Sequence, residues 1–171
     1  MQESPNTALV ESTNDCTKQD QDMLQYLTFT VEDEEYGVDI MTVREIKGWS
    51  ETTRLPNSSE YMRGVMNLRG LIIPIFDLRA RFGRGITEPH PKKVVVILAA
   101  GKKTIGILVD NVSDILDTNS ESIKPAPDTD NSLSQEFVEG LISVKERMVV
   151  LLNINKLFGE EIINKEIQAT S

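Results

Sequence analysis

Histidine and cysteine are nearly absent from this chain, with one of each in 171 residues. His90 stands in "EPHPKK" with no second histidine or nearby cysteine, so no zinc site can form around it. No serine or cysteine nucleophile has an imidazole partner in the folded segments either. His90 reads as a solvated linker residue. Cys16 cannot form an internal disulfide, and neighbouring Asp15 and Asp20 oppose the thiolate that redox or nucleophilic work requires. Long apolar runs are missing too. The longest, "VVVILAA" at 94–100, is far short of the roughly 20 residues of a membrane span, reads as a buried strand and gives no means of direct membrane insertion. Residues 1–22 lack the basic start and apolar stretch of a secretory signal, so a cytoplasmic protein is expected. There is no G-x-x-x-x-G-K-[ST] loop, and "FGRG" is too short for a dinucleotide fingerprint. Basic charge is scarce: 18 Lys and Arg face 27 Asp and Glu, a net charge of −9, the reverse of what nucleic-acid binding demands.

What is present suits a folded core, with 39% hydrophobic and 26% charged residues. Carboxylates are plentiful, in "EDEE" at 32–35 and at Asp39, Asp77 and Asp110. A run of acids at a hairpin turn reads as a solvated edge, whereas a catalytic pair needs burial to drive its two pKa values apart. The pattern points to a protein that is not an enzyme and uses no cofactor.

Residues 1–22, with five acids and one lysine, read as a flexible acidic tail, and order is expected from Met23. "LQYLTFTV" and "YGVDI" flank a charged turn and predict a hairpin, followed by an extended or briefly turned "MTVREIKGW". Ser58 or Ser59 is placed to cap a short helix before the strand "LIIPIFDL". "GRGITEPHPKK" reads as a linker, and "VVVILAA", "KTIGILVD" and "VSDILDT" as further strands. Residues 160–171 are expected to end the chain as a helix or tail.

The chain contains an internal repeat. Residues 26–46 align without a gap on 95–115, matching Gly37 with Gly106, Glu45 with Asp114 and Ile46 with Ile115. Residues 59–83 align on 135–159, matching Gly64 with Gly140 and Asp77 with Asn153. The second block is offset by seven more residues, which places an insertion in or near the loop before Gln135. Two tandem β units of about five strands each follow, small barrels or sandwiches that must pack together because neither buries enough surface alone. The groove between them is the expected place for a ligand or partner.

The second copy serves as a control for the first. Residues 61–85 hold five arginines against one aspartate, yet Arg63, Arg79 and Arg81 meet Glu139, Asn155 and Leu157. The fold therefore does not require basic residues there, and they are expected at the surface. Arg69 meets Lys145 and Glu45 meets Asp114, so a structural Glu45–Arg69 pair is one reading and a partner contact the other. Gly70 meets Glu146, and the pair "RG" is peculiar to the first copy. Pro74 suits an edge strand or a bulge.

"NLRGLIIPIFDL" at 67–78, with Gly64 and "EEYGVDIMTVREI" before it and "GILVDNVSDIL" and "RMVVLLNINKL" after it, resembles the CheW family of bacterial chemotaxis coupling proteins. The resemblance runs through about residues 23–159. It implies an all-β fold of two tandem five-stranded SH3-like barrels, here 23–85 and 92–159 with strands free to exchange at the ends, and short helices in the connections. It also implies a non-enzymatic adaptor that joins methyl-accepting chemoreceptors to the regulatory domain of the histidine kinase CheA and helps to build their arrays. The family's receptor surface carries over to Val43, Glu45, Gly64, Arg69, Gly70 and Val94, with Ile40 and Val43 as an apolar wall for a receptor helix. The acidic tail and the basic Arg81, Arg84, Lys92 and Lys93 depart from the usual family pattern. The competing reading is a small-molecule or nucleotide sensor using the inter-barrel groove.

Overall fold

The computed structural model describes residues 23–127 and 136–158. The tail at 1–22, the C-terminal segment at 160–171 and most of the seven-residue insertion lie outside the described residues. Alternating apolar positions in "MLQYLTFTV" form β1 (Met23–Val31), and a turn at Glu32 and Asp33 returns the chain as β2 (Glu34–Asp39). A 3-10 turn, Ile40–Thr42, capped by the Asp39 carboxylate, leads into β3 (Val43–Gly48). Then come β4 (Met62–Leu68), β5 (Leu71–Asp77) and the single-turn helix α1 (Leu78–Arg81). The second copy follows as β6 (Val94–Ala100), β7 (Lys103–Val109), β8 (Asn111–Asn119), β9 (Val138–Val144), β10 (Arg147–Leu152) and α2 (Ile154–Leu157). No helix precedes β4: Ser58 instead donates its hydroxyl to the Leu55 carbonyl inside a series of turns.

The strands assemble into two five-stranded sheets, ordered β8-β1-β2-β10-β9 and β3-β6-β7-β5-β4. Each sheet closes at its edges through one further bridge, Lys124 with Leu141 and Thr53 with Val65. The sheets do not divide the chain at 85 and 92. Each barrel combines the N-terminal hairpin of one copy with the last three strands of the other, so the exchange is of whole hairpins. The joins are the two parallel pairs: Gly37 of β2 lies opposite Leu151 of β10, and Gly106 of β7 opposite Ile75 of β5. A Cβ on Gly106 would come within 2.5 Å of the Ile75 Cδ1, and one on Gly37 within 3.0 Å of the Leu151 Cδ2. The repeated glycine is therefore the space into which the exchanged strand packs.

Three cores result. Tyr26, Ile142, Val149 and Leu151 fill the first barrel, while Met66, Ile73, Ile75, Val95, Ile97 and Leu108 fill the second. The largest cluster joins the barrels, with Phe29, Tyr36 and Val38 meeting Phe76, Val96, Leu98 and Ile107, and Phe158 stacked on Phe76 at 4.7 Å. Strand β6 has no polar face because alternate residues enter different cores, Val95 and Ile97 the barrel's own and Val96 and Leu98 the shared one.

Corners repeat as well. Gly64 has φ +138°, and a Cβ there would lie 2.4 Å from the Thr53 carbonyl oxygen, the strand that closes the barrel. Gly140 stands against Lys124 in the same way, with the carbonyl 2.8 Å away. Asp77 caps α1 and Asn153 caps α2 through their side-chain oxygens, the cap role that the pairing of the two residues suggested. Strand β5 is interior rather than an edge, yet Pro74 precedes Ile75, the first residue in register with β7, so its missing N–H is not owed to that neighbour.

Candidate partner-binding site

The β4–β5 connection is a two-residue hairpin, because Leu68 pairs with Leu71 and only Arg69 and Gly70 lie between them. Both have positive φ, 53° and 89°, the requirement of a type I′ turn. Gly70 meets it without strain, and the Asn67 Oδ1 accepts the Gly70 amide at 2.8 Å. In the second copy Lys145 alone has positive φ, which is why Glu146 can stand where Gly70 does in the first. The glycine thus serves the turn type, and the turn projects Arg69 from the barrel.

Arg69 reaches back to β3, where its guanidinium lies 3.2 Å from the Glu45 carboxylate, with the arginine side chain 78% exposed and the glutamate 28%. No ion pair joins the corresponding Asp114 and Lys145 among the described residues; Asp114 accepts the Ile115 amide instead. The pair is therefore a property of one barrel and not a demand of the repeat.

The other expected residues are distributed differently. Ile40, Val43 and Val94 are half-buried and pack against the shared core. Val43 pairs with Leu98 and Val94 with Gly48, which places the two valines at opposite ends of the β3–β6 ladder, about 15 Å apart at strand spacing. Gly64 is buried and serves the barrel corner. The structure thus brings Glu45, Arg69 and Gly70 together and leaves Val94 at a distance.

Sequence reasoning missed the apolar flank of the turn. "LIIPIFDL" reads as core throughout, but Leu71 and Ile72 are 55% and 58% exposed, and burial begins at Ile73. Ile46, beside Glu45, is also exposed. The missed signal is their position directly after the hairpin turn, where the strand extends past its register with β7.

Arg79, Arg81 and Arg84 are not a free surface. Arg79 pairs with Glu32 at 2.9 Å, and Arg84 with Glu34 at 2.7 Å, tying α1 and the linker to the exchanged first hairpin. Arg81 donates to the Leu157 carbonyl and lies over the rings of Phe137 and Tyr61, at 4.6 and 5.1 Å from their centroids. Lys93 meets Asp110 at 2.6 Å. The Arg84 fork and the Tyr36 hydroxyl hold the Glu34 carboxyl below its ordinary range. Arg79 and Arg84 thus tie the first hairpin to the end of the same copy, and of the three arginines Arg81 alone crosses to the other copy, roles that comparing the copies position by position cannot show.

Asp77 is fully buried, with both oxygens occupied: Oδ2 accepts the Thr87 amide at 2.6 Å, while Oδ1 accepts the Thr87 hydroxyl at 2.7 Å and the Arg79 amide at 3.1 Å. The interaction pins the linker to the second barrel.

The model of the CheW-like domain matches residues 25–161. The chain belongs to the CheW family. It is 42% identical to "Chemotaxis protein CheW" of Klebsiella aerogenes over 137 residues, 80% of this chain and 82% of that one. It is 40% identical to "Probable chemotaxis protein CheW" of Rhizobium etli over 136 residues, 80% of this chain and 88% of that one. Among solved structures it resembles the scaffolding protein TtCheW from Thermoanaerobacter tengcongensis, with a TM-score of 0.74 and 30% identity, covering 82% of this chain and 92% of that one. This CheW-family chain is a chemotaxis scaffold of two SH3-like barrels. No helix among its described residues is long and apolar enough to cross a membrane.

Proposed function

We propose that this chain is a non-catalytic cytoplasmic adaptor that joins the tip of methyl-accepting chemoreceptors to the regulatory domain of the histidine kinase CheA. The observation that carries the reading is the Glu45–Arg69 pair at a protruding hairpin. The guanidinium holds one carboxylate and, being largely exposed, keeps donors for a partner. Exposed Ile46, Leu71 and Ile72 adjoin the pair in sequence and supply the apolar area that an amphipathic receptor helix requires. Half-buried Val43 at the start of β3 and Ile40 in the turn before it continue the apolar wall, Gly70 sets the turn, and Gly64 and Val94 shape the barrel behind it. A ligand in the space between the barrels is disfavoured, because that space holds the largest apolar cluster.

The test is co-sedimentation with a receptor-tip fragment and a kinase regulatory domain. Arg69→Glu is expected to abolish receptor capture while the circular dichroism spectrum is retained, and Leu71→Ser with Ile72→Ser to weaken it. Full capture by Arg69→Glu would overturn this surface.

A further inference from the structure

Six of the eight arginines have an oxygen acceptor on this chain: Arg69, Arg79, Arg84 and Arg147 on carboxylates, and Arg44 and Arg81 on carbonyls. Arg54 and Arg63 have none among the described residues, and both line the same surface concavity of about 640 Å³. Trp49 lines it as well, with the Arg63 guanidinium 5.7 Å from its ring centroid and its own amide donating to the Lys93 carbonyl. Pro89, His90 and Pro91 of the linker also line it. The His90 Nδ1 accepts the Lys92 amide at 3.1 Å, which leaves Nε2 as the ring's donor for another group. Glu51 is the one acid in the lining. Every lining residue belongs to β4 of the second barrel or to the connections flanking β3 and β6, so this site is separate from the space between the barrels and from Arg69.

We propose that this concavity binds a small organic anion, a phosphate ester or a carboxylate. Arg54 and Arg63 hold the charged group, and Trp49 with the two prolines takes the apolar body. Two guanidinium groups without an oxygen acceptor among the described residues, in a chain of net charge −9, are matched to phosphate or carboxylate oxygens by their fork geometry. The volume lies within the roughly 300–1,000 Å³ of small-ligand sites, which favours a small molecule over a peptide.

Trp49 is the only tryptophan of the chain and so reports on its own site. The full chain is titrated with AMP, with citrate and with inorganic phosphate, and tryptophan fluorescence is read beside calorimetry. A saturable response to AMP or citrate is expected. Its midpoint should weaken about tenfold or more in Arg54→Gln and in Arg63→Gln and stay unchanged in Arg44→Gln, with circular dichroism unaltered in all three. A response to AMP alone identifies a phosphate ester, and one to citrate alone a carboxylate. A flat titration for every probe up to about 10 mM would overturn the proposal. Equal midpoints for AMP and inorganic phosphate would also overturn it, since the apolar wall would then contribute nothing. So would binding of a short polyglutamate peptide where the small probes fail.

Discussion

Thr87 gives both its amide and its hydroxyl to the carboxylate of Asp77, at 2.6 and 2.7 Å, in a place closed to water. One buried acid thus ends β5, caps α1 and fastens the linker that leads to the exchanged hairpin β6–β7. Removing it strands several donors in the interior. Asp77→Ala is expected to cost about 3 kcal/mol or more, and Thr87→Val about 1–2 kcal/mol. Asp77→Asn keeps one acceptor, as Asn153 does at the second cap, and is expected to fall between them. Urea unfolding midpoints at constant m-value give the order.

Glycine substitutions separate space from conformation. At Gly64 a methyl group meets backbone 2.4 Å away, so Gly64→Ala is expected to lose about 2 kcal/mol or more and to expose the barrel corner. At Gly70 nothing lies within 4 Å and only the positive φ opposes a side chain, so Gly70→Ala is expected to lose about 1 kcal/mol. Thermal melts that rank the two variants the other way would show that the corner yields more easily than its geometry implies.

Acid lability follows from Glu34. The Arg84 side chain, foremost, and the Tyr36 hydroxyl lower its pKa in the folded state below the ordinary 4.5. A depressed acid contributes stability that is present above the unfolded value and lost as pH falls through the folded one. Urea midpoints are expected to decline below about pH 4.5, and Glu34→Gln should flatten part of that decline. Tyr36 works in the opposite sense. Burial, then its bond to Glu34, raises its pKa above the ordinary 10.0, so its contribution is present below pH 10 and fades as pH rises further. Tyr36→Phe should soften the alkaline loss.

Charge exchange tests what Arg69 is for. Exposed pairs contribute about 0–1 kcal/mol, so Arg69→Glu alone should barely move the unfolding midpoint. The double exchange Glu45→Arg with Arg69→Glu restores an ion pair but moves the guanidinium onto β3. It is expected to fold normally and still fail to capture receptor fragments. Restored capture would mean that the pair, not the placement of arginine on the turn, is what the partner reads.

The sequence alone established that the chain is built of β-strands in two similar units, because period-two apolar patterns and repeated glycines at strand joins and corners are local signals. Gly64 with Gly140, Gly37 with Gly106 and Asp77 with Asn153 were all legible, since equivalent positions in two copies meet the same demand, for space at the glycines and for a helix cap at the other pair. Which strand pairs with which was not legible. A hairpin such as Val94–Val109 is apolar on both faces whichever copy's strands it joins, so only the assembled barrels decided that whole hairpins change places. The same holds for Arg79, Arg81 and Arg84, whose partners Glu32, Leu157 and Glu34 lie 47 to 76 residues away or across copies. The exposure of Leu71 and Ile72 was hidden for a related reason: hydrophobicity shows what a side chain would prefer, and the length of the neighbouring strand determines whether anything covers it.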